Sequence, residues 1–135
     1  DCRELMRKLG ITEIAGHDIT EVSGGQLQRA CICRSMINQP KLLFADEPTG
    51  ALNQSASKEV MKELNRLNAD GTTMMLVTHD KKVAAKCSRI LYIVDGNIKG
   101  ELTLGKLSDE ELVAGDDIYK ARERKVNQWL EDMGW

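Results

Sequence analysis

The chain has 135 residues, of which 41% are hydrophobic and 30% are charged, a composition typical of one folded domain. Its formal net charge of −2 gives no electrostatic support for binding nucleic acid. No apolar run approaches the roughly 20 residues needed to span a bilayer, so we expect any association with a membrane to run through a partner.

The sequence begins with helical patterns and then changes to a strand-like one. Asp1 to Leu9 reads as the end of a helix, and residues 11–22 read as a short irregular or helical link. A helix is expected from about Gly24 to Asn38, because Pro40 stops it. The apolar run "KLLFA", Lys41 to Ala45, is typical of a strand buried on both faces.

A second helix and a second strand follow. The helix is expected from about Gln54 to Asn68, with Asn53 as its N-cap, and the strand is "TMMLV", Thr73 to Val77. Strand, helix and strand in this order predict a β-α-β unit with parallel strands. The residues after the two strands then share the edge of the sheet where α/β proteins bind ligands.

The rest of the sequence predicts a hairpin and a docking helix. A short helix from about Lys81 to Lys86 precedes the strand Arg89 to Val94, and Asp95-Gly96 is a hairpin turn signal before Asn97 to Leu102. The tail is expected to be helical from about Asp109. Its apolar stripe favours packing on its own domain, with a partner-binding helix as the alternative: Tyr119, Val126, Trp129, Leu130 and Met133.

The cysteines and histidines give no metal pattern. Cys2, Cys31, Cys33 and Cys87 form no C-x-x-C motif, and Cys31 and Cys33 should point to different faces of one helix. Two histidines are too few for a zinc site. We expect the thiols to be ordinary small side chains in a reducing compartment.

The stretch "SGGQ" opens the second helix. A Ser three residues before a Gln fits a capping box, so Ser23 and Gln26 have a purely structural interpretation. Gly24 and Gly25 are poor helix formers, and a cap does not need them. Without Cβ atoms they let a ligand approach a helix N-terminus that favours anions, so phosphate binding is the other interpretation.

Two carboxylates follow the first buried strand in "LLFADE". Asp46 at a strand end is suited to holding Mg²⁺, often through water, and Glu47 is suited to activating a water molecule. Two solvated loop carboxylates are the alternative interpretation. His79 follows the second strand, so we expect it to lie beside Glu47, where it can donate a hydrogen bond to a terminal phosphate.

The segment "GELTLGKL", Gly100 to Leu107, is similar to a phosphate-binding P-loop but does not match it. The last position of that motif must be Ser or Thr to bind Mg²⁺, and here it is Leu107. It also falls on the return strand of the expected hairpin, so we reject the P-loop interpretation.

The motifs "VSGGQLQR", "LLFADEPTGALN" and "VTHD", in this order, resemble the nucleotide-binding domain of ABC transporters. The resemblance covers residues 1 to about 104, and "DEPTGALN" is most similar to exporters of macrolides, lipoproteins and antimicrobial peptides. It implies an α/β fold, the C-terminal portion of a P-loop NTPase (RecA-like) parallel sheet. Part of the helical signature subdomain would be joined to it, with the Walker A half absent.

The resemblance also implies a role for each motif. Ser23, Gly24, Gly25 and Gln26 look like the signature motif, which faces ATP held by a second subunit in a head-to-tail dimer. Asp46 looks like the Walker B magnesium ligand, Glu47 like the catalytic base and His79 like the switch histidine. The motif similar to the D-loop consists of Ala51, Leu52 and Asn53.

Cofactors, partners and location follow from the same resemblance. It implies ATP and Mg²⁺, a transmembrane permease subunit, and a cytoplasmic position on the inner face of the membrane. Three segments are expected: signature helices over 1–38, a partial ATPase core over 39–104, and a helical tail over 105–135. Asn53 departs from the Asp usual in the D-loop, and without a Walker A loop the chain is expected to be inactive alone.

Two other functions remain open on the sequence. An ABC-type ATPase of DNA repair shares the motifs, although the net charge of −2 counts against it. A non-catalytic interaction module is favoured by the missing Walker A loop, and nucleotide binding would distinguish it from an ATPase.

Overall fold

Two parallel strands and three helices make up the first part of the chain, in a computed structural model that describes residues 2–18, 22–108, 111 and 117–135. The contacts divide the chain into two units, Asp1–Val77 and Thr78–Trp135. The structure matches the predicted α/β class.

The first unit contains the predicted helices and strands in the predicted order. They are α1 (Cys2–Lys8), a 3₁₀ turn (Thr12–Ile14), α2 (Gly24–Met36), β1 (Leu42–Asp46), α3 (Gln54–Ala69) and β2 (Thr73–Val77). The predicted link over 11–22 contains the 3₁₀ turn, and its residues 19–21 lie outside the described residues. The apolar stripe of α3 is buried, including Val60, Leu64 and Leu67.

The strands β1 and β2 confirm the predicted parallel pair. Their register runs from Leu42 opposite Thr73 to Asp46 opposite Val77. The helix α3 connects them, as a β-α-β unit requires. Both strands therefore end at the same edge of the sheet, which sets the position of the residues that follow them.

The prediction that "KLLFA" is buried on both faces is wrong. Leu43 is 8% exposed and shares a cavity with Ile32 of α2 and Leu64 of α3. In contrast, Leu42 is 56% exposed and Phe44 is 61% exposed. Successive strand residues point to opposite faces, and in the described part of the chain the helices cover only the face that carries Leu43. A continuous apolar run therefore did not mean burial on both sides.

The second unit is an antiparallel hairpin with a helix on either side in sequence. It contains α4 (Lys81–Ala84), β3 (Arg89–Val94), β4 (Asn97–Thr103) and α5 (Asp117–Asp132). Asp95 and Gly96 have φ angles of 50° and 76°, so both turn residues are left-handed, as a two-residue hairpin requires. Gly100 lies within β4 and residues 104–108 are not helical, so this segment lacks the strand-loop-helix form of a P-loop.

The helix α5 packs on the hairpin of its own unit. Val126 and Leu130 are buried against Ala85 in one cluster. The partly buried residues around this cluster come from both strands, the segment after β4, α5 and the residue that follows α5: Ile90, Tyr92, Leu102, Leu104, Trp129 and Met133. The docking interpretation of the apolar stripe is confirmed. The predicted helical residues 109–110 and 112–116 lie outside the described residues.

A buried arginine in α5, not predicted from the sequence, holds two backbone segments. The Arg122 guanidinium donates hydrogen bonds to the carbonyl oxygens of Ala85 (2.6 Å), Cys87 (2.7 Å), Leu104 (3.3 Å) and Gly105 (3.0 Å). Burial lowers the pKa of this side chain below its usual value. Arg122 therefore ties α5 to the end of α4 and to the end of β4 at once.

Within the described residues, no helix has the length and apolarity that crossing a membrane requires.

Candidate functional site

The first turn of α2 has the predicted capping box. Ser23 Oγ accepts a hydrogen bond from the Gln26 N–H (3.1 Å), and the Ser23 N–H donates to Gln26 Oε1 (3.0 Å). These two hydrogen bonds use the backbone N–H groups of Ser23 and Gln26, at either end of the turn. The amides of Gly24 and Gly25, between them, have no acceptor within the helix because they belong to its first turn. Ser23 and Gly24 are exposed, whereas Gly25 is buried.

Both glycines of this turn also have a packing role that sequence reasoning missed. A Cβ on Gly25 would lie 3.1 Å from the Cβ of Ala56, and a Cβ on Gly24 would lie 3.1 Å from Cδ2 of Leu52. Such distances are tighter than most Cβ contacts in proteins. The absence of side chains therefore lets the start of α2 touch the start of α3. The sequence contained no local signal for this contact, because the partners are far apart in the chain.

The start of α3 forms the other side of this contact. Asn53 Oδ1 accepts a hydrogen bond from the Ala56 N–H at 2.8 Å, which confirms Asn53 as the N-cap. Asp and Asn are about equally good N-caps, so an Asn at this position keeps the cap. Ala51 and Leu52 lead directly into it.

The N-termini of α2 and α3 open onto one shallow cavity of about 300 Å³. Its lining comes from the two capped segments: Ser23, Gly24, Gly25, Ala51, Leu52, Asn53, Ser55 and Ala56. None of these side chains is acidic, and a helix N-terminus carries partial positive charge. The structure thus brings together the "SGGQ" and "ALN" motifs, which the sequence placed in separate elements.

The predicted carboxylates lie at the end of β1. Asp46 is the last residue of the strand and is exposed. The Glu47 N–H donates to the Val77 carbonyl at 2.7 Å, so the pairing with β2 continues one residue beyond the strand. Glu47 itself has a φ of +47°, a left-handed conformation that costs a non-glycine residue about 1–2 kcal/mol. Strain of this kind is concentrated at functional sites, and the sequence did not predict it.

His79 belongs to the second unit, two residues after the end of β2. Its neighbours fix the local backbone, because Thr78 Oγ1 accepts from the Asp80 N–H (3.0 Å) and Asp80 Oδ1 accepts from the Lys82 N–H (2.8 Å). Asp80 thereby caps α4. His79 is exposed, and its expected position beside Glu47 stays a prediction.

The described residues fit Mg²⁺ better than a metal that needs a full set of protein ligands. Among them, no group of three or more His, Cys, Asp or Glu side chains could hold a metal ion. Mg²⁺ is usually bound by one or two carboxylates together with substrate phosphates and water. The exposed carboxylate of Asp46 at the end of a parallel strand meets that requirement.

Comparison with known proteins gives similarity throughout the chain. The family model described as "ABC transporter" matches residues 1–50. The chain is 48% identical over 132 residues to a probable export ATP-binding/permease protein MacB of Pseudomonas entomophila, covering 98% of the chain and 19% of that protein. It is 47% identical over 93 residues to the ABC transporter ATP-binding protein YknY of Bacillus subtilis, covering 69% of the chain and 40% of that protein. The chain therefore spans less than half the length of either relative.

Solved structures show the same similarity in three dimensions. A dimeric post-hydrolysis state of the ATP-binding cassette MJ0796, bound to ADP and Pi, superposes with a TM-score of 0.65 and 37% identity. The match covers 77% of this chain and 46% of that one. The ADP conformation of the cassette MJ1267 has a TM-score of 0.71 at 18% identity over 94% of this chain and 48% of that one, which supports the fold alone.

Proposed function

Because the chain belongs to the ABC transporter ATP-binding domains, we propose that the complete protein hydrolyses ATP to drive a membrane exporter. The observation that carries this proposal is the arrangement of residues at the end of β1. There the parallel strand ends in one carboxylate, Asp46, and the next residue, Glu47, is held in a left-handed backbone conformation.

Glu47 is the proposed catalytic base. Its carboxylate would orient the attacking water and accept its proton, and general-base help of this kind typically contributes about 10²–10⁴ in rate. The products are ADP and phosphate. The hydrogen bond from the Glu47 N–H to β2 supports this role, because it fixes the backbone from which the carboxylate projects.

Asp46 and His79 have supporting roles in this proposal. Asp46 would hold Mg²⁺, in part through water, and the ion would neutralise charge on the phosphates. His79 would donate a hydrogen bond to the γ-phosphate. The local support for His79 is its position directly before the capped start of α4.

The signature turn is proposed to complete a nucleotide site on a second subunit in a head-to-tail dimer. Its donors are the Ser23 hydroxyl and the amides of Gly24 and Gly25, since the capping box already uses the backbone N–H groups of Ser23 and Gln26. The D-loop residues Ala51, Leu52 and Asn53 would lie at the same interface, because they line the same cavity as the signature turn.

We propose a permease as the further partner, with the ATPase on the cytoplasmic face of the membrane. Relatives named as macrolide export and probable export ATP-binding/permease proteins support the exporter assignment. Antimicrobial peptides or lipid-like molecules are the proposed substrates, and no nucleic acid is involved.

The proposed signature segment spans residues 1–38, the proposed part of the ATPase core spans residues 39–104, and the proposed helical tail spans residues 105–135. The 135-residue chain alone is proposed to be inactive, because its sequence contains no P-loop that ends in Ser or Thr.

Glu47→Gln in the complete protein tests the proposal. We expect ATP turnover, measured as phosphate release, to fall by at least about 10²-fold, because the amide cannot accept a proton. Dimers that form with ATP should persist in sedimentation experiments. Glu131→Gln, an exposed site on α5, is the matched control and should leave turnover unchanged. Full turnover in Glu47→Gln would refute the assignment of the base.

A further inference from the structure

Two thiols of the first unit lie close together, although they are far apart in the sequence. Cys2 is the first residue of α1, and Cys33 is on the buried face of α2. Cys33 Sγ lies 3.9 Å from the backbone carbonyl oxygen of Cys2, so the Cys33 thiol reaches the residue that carries the other thiol. All four cysteines are free. The proximity is therefore between two reduced thiols on neighbouring helices.

The two thiols differ in their access to solvent. Cys2 is exposed, whereas Cys33 is 3% exposed. Cys31 is two residues from Cys33 but is exposed, on another face of α2. Cys87 belongs to the second unit, and its Sγ donates to the Val83 carbonyl at 3.5 Å. Only Cys2 and Cys33, among these four, combine an accessible thiol with a buried neighbour on another helix.

We infer that Cys2 and Cys33 form a reversible oxidation site, at which a small-molecule disulfide joins α1 to α2 through a Cys2–Cys33 bond. Disulfides inside cells are usually transient or redox-sensing, which matches a pair that starts from the reduced state. The geometric requirement is a Cβ–Cβ separation of about 3.5–4.5 Å. The Cys2 side chain is exposed and α1 has no buried residues, so turning this thiol toward Cys33 would displace no core side chain of α1.

The reaction balances as two thiol–disulfide exchanges. In the first, the Cys2 thiolate attacks one sulfur of glutathione disulfide, the S–S bond breaks, and one glutathione leaves. In the second, the Cys33 thiolate attacks the Cys2 sulfur of the mixed disulfide, and the second glutathione leaves. The two cysteines are oxidised, glutathione disulfide is reduced, and the two protons of the protein thiols end on the two glutathione molecules.

The environment of Cys33 slows the second exchange. Burial raises the pKa of the Cys33 thiol, and the neighbouring Cys2 raises it further. Cys33 is therefore protonated at neutral pH, and only its thiolate can attack. The second exchange should accelerate as the pH rises, by about tenfold per pH unit below the pKa of Cys33.

The disulfide would close a loop of the chain that contains the signature turn at the start of α2. Residues between Cys2 and Cys33 include the capped turn from Ser23 to Gln26, which starts α2. A covalent bond from the last turn of α2 to the start of α1 would limit how far α2 can move away from α1. Oxidation would thus act on the position of the signature turn without modifying any of its residues.

The experiment treats the reduced chain with glutathione disulfide at pH 7 and pH 8.5, followed by alkylation, trypsin and mass spectrometry. Trypsin places Cys2 in the peptide "DCR" and places Cys31 and Cys33 together in "ACICR". We expect these peptides to be joined, with fragment ions that show the alkyl group on Cys31. The joined product should form faster at the higher pH. Treatment of the chain unfolded in urea should instead distribute the bond about equally between Cys31 and Cys33.

Two variants provide the matched comparison. Cys31→Ser should retain the link to Cys2, whereas Cys33→Ser should stop at the mixed disulfide of Cys2 with glutathione. If Cys33→Ser does not fold, the fragment ions of the unmodified chain still decide the pairing. A Cys2–Cys31 bond, an equal distribution in the folded chain, a bond between two chains, or no bond beyond the mixed disulfide would each overturn the inference.

Discussion

Two helix contacts in this molecule are built in opposite ways. The start of α2 touches the start of α3 through residues with almost no side chain, Gly25 on Ala56. The helix α5 holds its hairpin through one of the longest side chains, Arg122, which binds four carbonyl oxygens. The contact between α2 and α3 has no room for an added side-chain atom. The contact between α5 and the hairpin depends instead on the guanidinium group of Arg122. The same difference between contacts predicts which substitutions each region tolerates.

Removing the guanidinium gives the largest expected effect. Arg122→Leu should lower the free energy of unfolding of the second unit by about 3 kcal/mol, because buried carbonyl groups lose their donors. Urea denaturation measures this loss, and amide exchange should localise it to residues 85–87 and 104–105. Arg124→Leu, an exposed position on the same helix, is the control and should stay within about 0.5 kcal/mol. Equal losses in both variants would show that Arg122 does not hold the hairpin.

Adding one methyl group tests the first contact. Gly25→Ala should destabilise the first unit by about 1–2 kcal/mol when Ala56 is present, since the new Cβ would lie 3.1 Å from that of Ala56. In the Ala56→Gly background the same change should be neutral or stabilising, because alanine favours helix. A double-mutant cycle in urea measures the coupling, and a cycle that closes with no coupling would refute the contact. Gly24→Ala is the control, because it meets only the flexible end of Leu52.

The cap of α3 predicts a smaller effect. Asn53→Ala should cost about 1 kcal/mol of unfolding free energy, because the Ala56 N–H loses its acceptor. Asn53→Asp should cost almost nothing, since a carboxylate oxygen can accept the same hydrogen bond and favours a helix N-terminus. Thermal unfolding of the two variants separates the cap from the charge. A loss of similar size in Asn53→Asp would mean that the amide group itself is required.

The smallest effect is expected at Glu47, where the backbone rather than the side chain is tested. Glu47→Gly should be more stable than Glu47→Ala by about 0.5–1 kcal/mol, because glycine avoids the left-handed strain but loses more backbone entropy on folding than alanine does. The comparison of the two variants cancels the loss of the carboxylate. Urea denaturation measures the difference, and a more stable alanine variant would argue against strain at this position. Neither variant should support turnover.

The sequence predicted those features of the molecule that depend on neighbours along the chain. The helices, the parallel pair, the hairpin turn at Asp95-Gly96 and the cap at Asn53 all follow from periodicity or from a residue's own backbone preference. The exposed face of β1 was not predicted, because an apolar run does not show which face the helices cover. The roles of Arg122 and of Gly25 were missed for a similar reason, since their partners are distant in the sequence.

At the candidate site, the sequence proposed residues but did not predict their geometry. It singled out Glu47 and Asp46 from their place after an apolar strand, and the structure places both at its end. The left-handed backbone of Glu47 depends on the turn that follows it and on the hydrogen bond from its N–H to β2. Neither feature can be recognised from a sequence pattern. The contact of the "SGGQ" turn with the "ALN" segment joins two elements separated by a strand.

The exposed face of the parallel sheet has a consequence for the colloidal behaviour of the chain. Leu42, Phe44, Met75 and Val77 are each at least 44% exposed, so a bare apolar surface meets water. Charge repulsion is the force that keeps such surfaces apart, and it vanishes near the isoelectric point of about 5.7. The chain should therefore precipitate most readily near that pH. The chain should stay dissolved at higher protein concentrations when the pH is alkaline. Added sulfate should lower its solubility, because sulfate strengthens apolar association.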